Sequence, residues 1–286
     1  MSSSFPSGKC LTPAGSLAIA TNPCGTYGAE KSDILFSAPY LFDMNKIIQK
    51  ICDQIVWEYK QNKNVLGIML FGSAVNNKFD KYSDIDIYVL LKKEDKYSRY
   101  SFLKDDALVE IIFDTVGKIK SYLKEEKVSV RRNVSHMLAH GKILYETGDN
   151  FKKLQTIAKH NLKSKTNSNR EEILMHKYSI DDFWDQVQRD TKNKNYLSFG
   201  LTSQLLLNNI IELFLKRHGE FLRPPSEMSE VLGKLDKNFY GRIKNFYKTA
   251  NIKTKKRILS GLIKYIYKKT GGSLPDRWSL PTRAAL

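Results

Sequence analysis

Asp84 and Asp86 flank Ile85 in the run DIDIYVLL, and on an extended chain acids so spaced project from one face while Ile85 and Ile87 turn to the other. Carboxylates this crowded repel each other. A divalent cation between them removes the repulsion, and hard oxygen ligands at this density suit Mg²⁺, which also takes phosphate oxygens from a substrate. A third acid is then expected nearby. Glu110 is the only charge inside the apolar run 107–113, and a charge within a strand needs a partner.

These acids need a frame. Residues 65–71 form an apolar run of strand length that ends at Gly72, where the missing Cβ allows a sharp turn and the close approach of a ligand, phosphate being the expected visitor. Ser73 sits where a helix can begin, so its hydroxyl and the free N–H groups of that turn face the strand end. Ten residues lie between Ser73 and Asp84, and Asn76, Asn77 and Asp80 among them suit a short helix and loop. The next strand covers 84–91. The strand 107–113 follows a turn at Lys104, Asp105 and Asp106, which lets Glu110 lie beside the aspartate pair.

Around this core the apolar spacing predicts a helix over 42–59, capped by Asp43 or Asn45, with Ile47, Ile48, Ile51, Ile55 and Val56 on one face. Further helices are expected over 116–126, capped by Thr115, over 128–140 and within 148–165, with a short strand at 142–145. The polar stretch 164–169 marks a domain boundary. Beyond it the pattern is helical over 171–189, 196–217, 239–249 and 253–269, broken at Arg223-Pro224-Pro225, and a bundle satisfies such faces. The fold class expected is α+β. A leader, 1–41, precedes a domain of small mixed sheet and helices, 42–163, and a helical bundle, 164–286.

With 286 residues, 41% hydrophobic and 27% charged, the chain can build two real cores. No apolar stretch approaches the roughly 20 residues a bilayer requires. The first 40 residues are rich in Ser, Gly, Ala and Pro, and they read as a flexible leader or an appended extension, with an apolar patch too short for a secretory signal. Cys10, Cys24 and Cys52 have no metal-like spacing, which favours a reduced, cytoplasmic protein. Charge is uneven. Residues 1–150 carry 20 basic against 18 acidic side chains, whereas 151–286 carry 27 against 12. Lys253, Lys255, Lys256 and Arg257 form the densest cluster, and such a field attracts polyanions unless it is merely a solvated face.

Gly72-Ser73, the ten-residue gap, Asp84-Ile85-Asp86 and Val109-Glu110-Ile111 together resemble the signature of the DNA polymerase β-type nucleotidyltransferase superfamily, over residues 65–115. The resemblance implies transfer of a nucleoside monophosphate from an NTP to a hydroxyl, by in-line attack at the α-phosphorus with pyrophosphate leaving. It implies two Mg²⁺ ions held by Asp84, Asp86 and Glu110, with Glu110 also helping to deprotonate the acceptor, and Gly72 and Ser73 seating the β- and γ-phosphates. The order of sheet domain and bundle looks like the two-domain antibiotic nucleotidyltransferases, of aminoglycoside and lincosamide type. There a bundle helix supplies the acceptor's general base, and the comparable residue here is Asp185.

Three readings of function follow: transfer to a small hydroxyl-bearing molecule such as an antibiotic, which the layout favours; transfer to RNA or a protein hydroxyl, which the basic second half favours; and a silent nucleotide- or RNA-binding module, which the intact acids oppose. Other candidates carry less. His136 and His140 share a helix face without a third ligand and read as structural. Arg131 and Arg132 are placed to approach a triphosphate. Arg170 and His176 loosely resemble the motif of helical RNases, and Trp184 and Trp278 are expected to pack the bundle.

Overall fold

The computed structural model describes residues 38–280 apart from 77, 78 and 81, so the expected leader lies outside the described residues up to position 37, as do Cys10, Cys24 and Asn77. In chain order the elements are α1 (Ala38–Tyr59), β1 (Val65–Phe71), a short 3-10 turn (Ser73–Asn76), β2 (Ile85–Leu91), β3 (Arg99–Lys104), β4 (Ala107–Thr115), α2 (Val116–Glu126), α3 (Asn133–His140), β5 (Lys142–Glu146) and α4 (Asn150–Lys163). Then come α5 (Arg170–Lys192), α6 (Tyr196–His218), α7 (Pro225–Leu235), α8 (Lys237–Lys248) and α9 (Ile252–Lys269). The α+β class is thus observed.

The strands form one mixed sheet in the order β3-β4-β2-β1-β5, in which β2 and β4 run parallel and the other pairs antiparallel. Alternation gives the sheet two apolar faces. Ile68, Leu70, Ile85, Ile87, Val89, Val109 and Ile111 pack with Ile48, Ile51 and Ile55 of α1. Met69, Tyr88 and Leu90 turn the other way and pack with Ile119, Leu123, Leu138, Phe151 and Leu154 of α2 to α4. A separate core, built on Phe199, Leu206, Ile210, Phe214, Phe239, Leu259 and Ile266, holds α5 to α9 together. Trp184 packs against it, and Trp278 meets Tyr178 with ring centroids 5.5 Å apart. No helix among the described residues is long and apolar enough to cross a membrane.

Several boundaries differ from the sequence pattern for identifiable reasons. The first helix starts at Ala38, so Asp43 and Asn45 lie inside it and neither caps it; Pro39 in the first turn lacks only a donor that would have no partner there. The third helix begins at Asn133 rather than 128, because the Arg132 guanidinium gathers the carbonyls of Lys127 and Ser129 into a loop. The edge strand β3 had no sequence signal, its residues being mostly exposed; pairing with β4 makes it a strand, through a turn in which Asp105 and Asp106 adopt φ 48° and 62°. Pro225, which reads as a breaker, opens α7. The Thr115 cap is as expected, its hydroxyl accepting from Lys118 N at 3.3 Å.

One buried polar contact joins strand to strand beneath the sheet's second face. Tyr88 Oη donates to Asp114 Oδ2 at 2.7 Å, and Asp114 also pairs with Lys118. Burial and this bond push the Tyr88 hydroxyl far above its ordinary range. Tyr88→Phe should therefore cost about 1–2 kcal/mol in urea unfolding, since it leaves a buried carboxylate oxygen short of a donor.

Candidate active site

The chain brings its three predicted acids together. Asp84 precedes β2, Asp86 is its second residue, and the parallel register sets Asp86 opposite Glu110 of β4. One carboxylate oxygen from each of Asp84, Asp86 and Glu110 lies within 4.8 Å of the others, and all three side chains are partly buried. Alternation along β2 and β4 puts Asp86 and Glu110 on the face of Tyr88. Burial first, then the charges of Asp84 and Glu110, push the Asp86 carboxyl up from 3.8 to about 7, with Arg99 of β3 pulling weakly the other way. Such a cluster is short of positive charge.

Gly72 closes the site from β1. Phe71 pairs with Asp86, the chain then turns at Gly72 with φ +75°, and a Cβ there would overlap Asp86 Oδ2. Glycine is thus needed twice, for the turn and for the room it leaves the carboxylate. Ser73 opens the 3-10 turn and is partly buried. Three close carboxylates, a proton retained near neutrality and a corner with no side chain fit a hard divalent cation.

The remaining candidates sit elsewhere. Asp185 stands on an exposed face of α5, near Gln188 at 3.4 Å, in a polar cleft with Arg189, Lys192 and Lys256. Arg132, expected near a triphosphate, is instead 1% exposed and donates to the carbonyls of Lys127, Ser129, Asn161 and Ser164, and Arg131 is paired with Glu212. Carbonyls take four of the five N–H donors of Arg132, and burial keeps the group from phosphate. His176 bonds the Asn209 side chain in a cavity between α5 and α6. Three residues not assigned to the site from the sequence do adjoin it: His136 and His140 of α3 and Glu227 of α7 line a cavity of about 210 Å³ together with Phe71, Gly72 and Met137. Only the four-residue spacing of the histidines was visible in the sequence.

Residues 53–150 match the family described as "Polymerase beta, Nucleotidyltransferase". No curated protein matches the chain. Among solved structures, the crystal structure of a nucleotidyltransferase-like protein from Exiguobacterium sibiricum 255-15 is similar, at 13% identity and a TM-score of 0.47, covering 80% of this chain and 77% of that one. With the acids converging inside the matched stretch, residues 53–150 are a nucleotidyltransferase domain of the polymerase β kind, and the enzyme class of the protein is nucleotidyltransferase.

Proposed function

We propose that this protein moves an NMP from an NTP to a hydroxyl of a small molecule and releases pyrophosphate, with Asp84, Asp86 and Glu110 holding two Mg²⁺ ions. The observation that carries this reading is the convergence of the three carboxylates within 4.8 Å of one another beside Gly72. When bound, Mg²⁺ supplies the positive charge that neutralises the polyphosphate and stabilises the departing oxygen. Gly72 and Ser73 seat the β- and γ-phosphates, where no side chain blocks their approach. Glu110, on β4 and separated from β1 by β2, takes the acceptor's proton; the acceptor oxygen bonds to the α-phosphorus as the bond to the pyrophosphate oxygen breaks.

The small-molecule acceptor has one support beyond the order of domains. Between α5 and α6 lies a cavity of about 750 Å³, the size of drug-like sites, lined by Glu171, Glu172 and Glu212 with His176, Asn208 and Ser179. Glu212 and Glu172 are paired there with Arg131 and Lys216, which leaves the lining close to neutral against the positive balance of residues 151–286, so a hydroxyl-bearing molecule of little charge, such as an antibiotic, is acceptable there. Asp185 is the helical-region acid proposed to approach the acceptor. A division into domains 42–163 and 164–286 and a cytoplasmic setting belong to the same proposal; the sheet cores and the helical core support the division, with Val130 of the first part reaching into the core of the second.

The basic residues of α9, Lys253, Lys255, Lys256 and Arg257, favour the second reading, in which RNA is the acceptor. One assay separates the two. With each labelled NTP, Mg²⁺, and either antibiotics or total RNA, label should enter a small molecule only; label in RNA alone overturns the small-molecule acceptor, and no transfer to any acceptor overturns the whole reading. In the same assay Asp185→Asn should slow transfer about tenfold or more if that acid meets the acceptor, and an unchanged rate removes it from the site.

A further inference from the structure

Between Lys237 and Lys269 the chain carries eleven Lys and Arg and no Asp or Glu. The stretch is α8, α9 and their short connection, 249–251. In α9 the charge is sorted by face. Leu259, Leu262, Ile263 and Ile266 are buried, and at about 100° per residue Lys253, Arg257, Lys264 and Lys268 fall together on the opposite side, where all four are exposed. Lys255 and Lys256, their neighbours in sequence, are partly buried instead, with their ammonium groups 5.0 and 5.9 Å from the rings of Phe246 and Trp184. The cluster in the sequence and the stripe on the surface are thus different sets.

A fifth cation fills the wide gap in the stripe. Gly261 lies between Arg257 and Lys264, and a Cβ on it would lie 2.6 Å from Arg242 Nη1, so the guanidinium from α8 rests against the bare backbone of α9 there. Glycine is otherwise a poor choice inside a helix. At a rise of about 1.5 Å per residue, Lys253, Arg257, the head of Arg242, Lys264 and Lys268 succeed one another every 4–6 Å or so, over about 22 Å. None of the five makes an ion pair among the described residues. Like charges four apart on a helix, Lys253 with Arg257 and Lys264 with Lys268, repel, and a polyanion relieves such a row.

We propose that the α8–α9 face docks single-stranded RNA, whose phosphates lie along the stripe and one of whose unpaired bases stacks on Tyr247. Tyr247 stands in α8 between Lys244 and Lys248, is 57% exposed, and accepts at its hydroxyl from Gln204 Nε2 at 3.0 Å, so the ring is held in place while most of it stays open to solvent. Bases of a duplex are already stacked on one another and make no use of such a ring. A membrane is the other extended anion, but a helix lying on one needs apolar side chains beside its cations, and no large apolar side chain of α9 is exposed. RNA held here need not be the acceptor, so the surface stands apart from the transfer reaction.

The probe is a fluorescein-labelled, unstructured RNA of about 20 nucleotides, followed by anisotropy with the full chain and without NTP or Mg²⁺, so that its outcome is independent of the transfer assay. Arg257→Glu combined with Lys264→Glu should weaken binding about tenfold or more near 0.1 M salt, and lower the slope of log K against log salt by about 1–2. Lys153→Glu combined with Lys159→Glu, both exposed on α4, makes the same change of net charge and should leave the affinity within about threefold. Tyr247→Ala should cost about five- to fiftyfold. Gly261→Ala removes no charge and favours the helix, so it should raise thermal stability and yet weaken RNA about two- to threefold by displacing Arg242. A wild type that binds no RNA under these conditions overturns the surface, as does an equal loss in the α4 control or no loss in the α9 variant. Duplex DNA or phosphatidylglycerol vesicles bound as tightly as the RNA, or an unchanged affinity in Tyr247→Ala, overturns single-stranded RNA as the partner.

Discussion

Asp86→Asn should lose NMP transfer by on the order of 10³-fold or more and yet yield a more stable apoprotein at alkaline pH. Both effects come from one cause. In the fold the Asp86 carboxyl is half-buried against Asp84 and Glu110, and its pKa stands at about 7 in place of 3.8. The folded state therefore holds a proton that the unfolded chain has released, over the window from about pH 4 to pH 7. Where the native state binds more protons, stability falls as pH rises. The wild-type apoprotein should thus be destabilised progressively through that window and reach its full deficit above it. Asparagine keeps the shape, removes the charge and abolishes the titration. At pH 8 it should unfold at higher denaturant, by about 1–2 kcal/mol after allowance for partial exposure and screening. At pH 3.5, where both states of the wild type are largely protonated, the two proteins should differ little. Mg²⁺ should raise the wild-type melting temperature and leave that of the variant nearly unchanged, because a ligand stabilises only the state that binds it. An Asp86→Asn protein that transfers NMP at the wild-type rate would remove the acids from the mechanism, and one no more stable at pH 8 would remove the electrostatic strain.

The acidic corner was legible in the sequence because its chemistry is written in adjacent residues. The alternation of Asp84, Ile85, Asp86 and Ile87 fixes which side chains meet, and Glu110 declared itself as a charge without reason in an apolar strand; the parallel register then joins them. The helices of the second half were legible for a similar reason, since α5, α6 and α9 each bury a periodic stripe. What the sequence did not show depends on distant partners. Strand β3 owes its state to the edge of β4, and no local pattern announces an edge. Arg132 looked like a phosphate ligand until the carbonyls of Asn161 and Ser164, some thirty residues later, enclosed it. His136 and His140 looked like packing on a helix face, and only the turn at Gly72 and the arrival of α7 make a cavity of their surroundings. Spacing along the chain reports groups that share an element. Walls contributed by separate elements leave no such trace.

Gly72→Ala should reduce transfer about 10²- to 10³-fold although no functional group is removed. The new methyl meets two obstacles. At φ +75° an L-residue carries a backbone cost of roughly 1–2 kcal/mol. The Cβ would also overlap Asp86 Oδ2, and its nearest neighbours are all atoms of that one side chain. The strand backbone around Asp86 is fixed by ladders on both sides, to β1 and to β4, so the relief available is rotation of the carboxylate away from Asp84 and Glu110. That rotation opens the 4.8 Å cluster on which charge neutralisation depends. The same methyl narrows the approach to the corner where the phosphates are proposed to sit. Activity should therefore fall much further than stability, with a raised Mg²⁺ requirement as the signature of a displaced ligand. Gly117→Ala supplies the contrast: it lies in α2, meets nothing within 4 Å, and should leave transfer unchanged while stabilising the helix by about 0.5–1 kcal/mol. If Gly72→Ala keeps wild-type kcat/KM and Mg²⁺ dependence, the Asp86 carboxylate does not act from the position it holds beside this turn, and the site must be drawn differently.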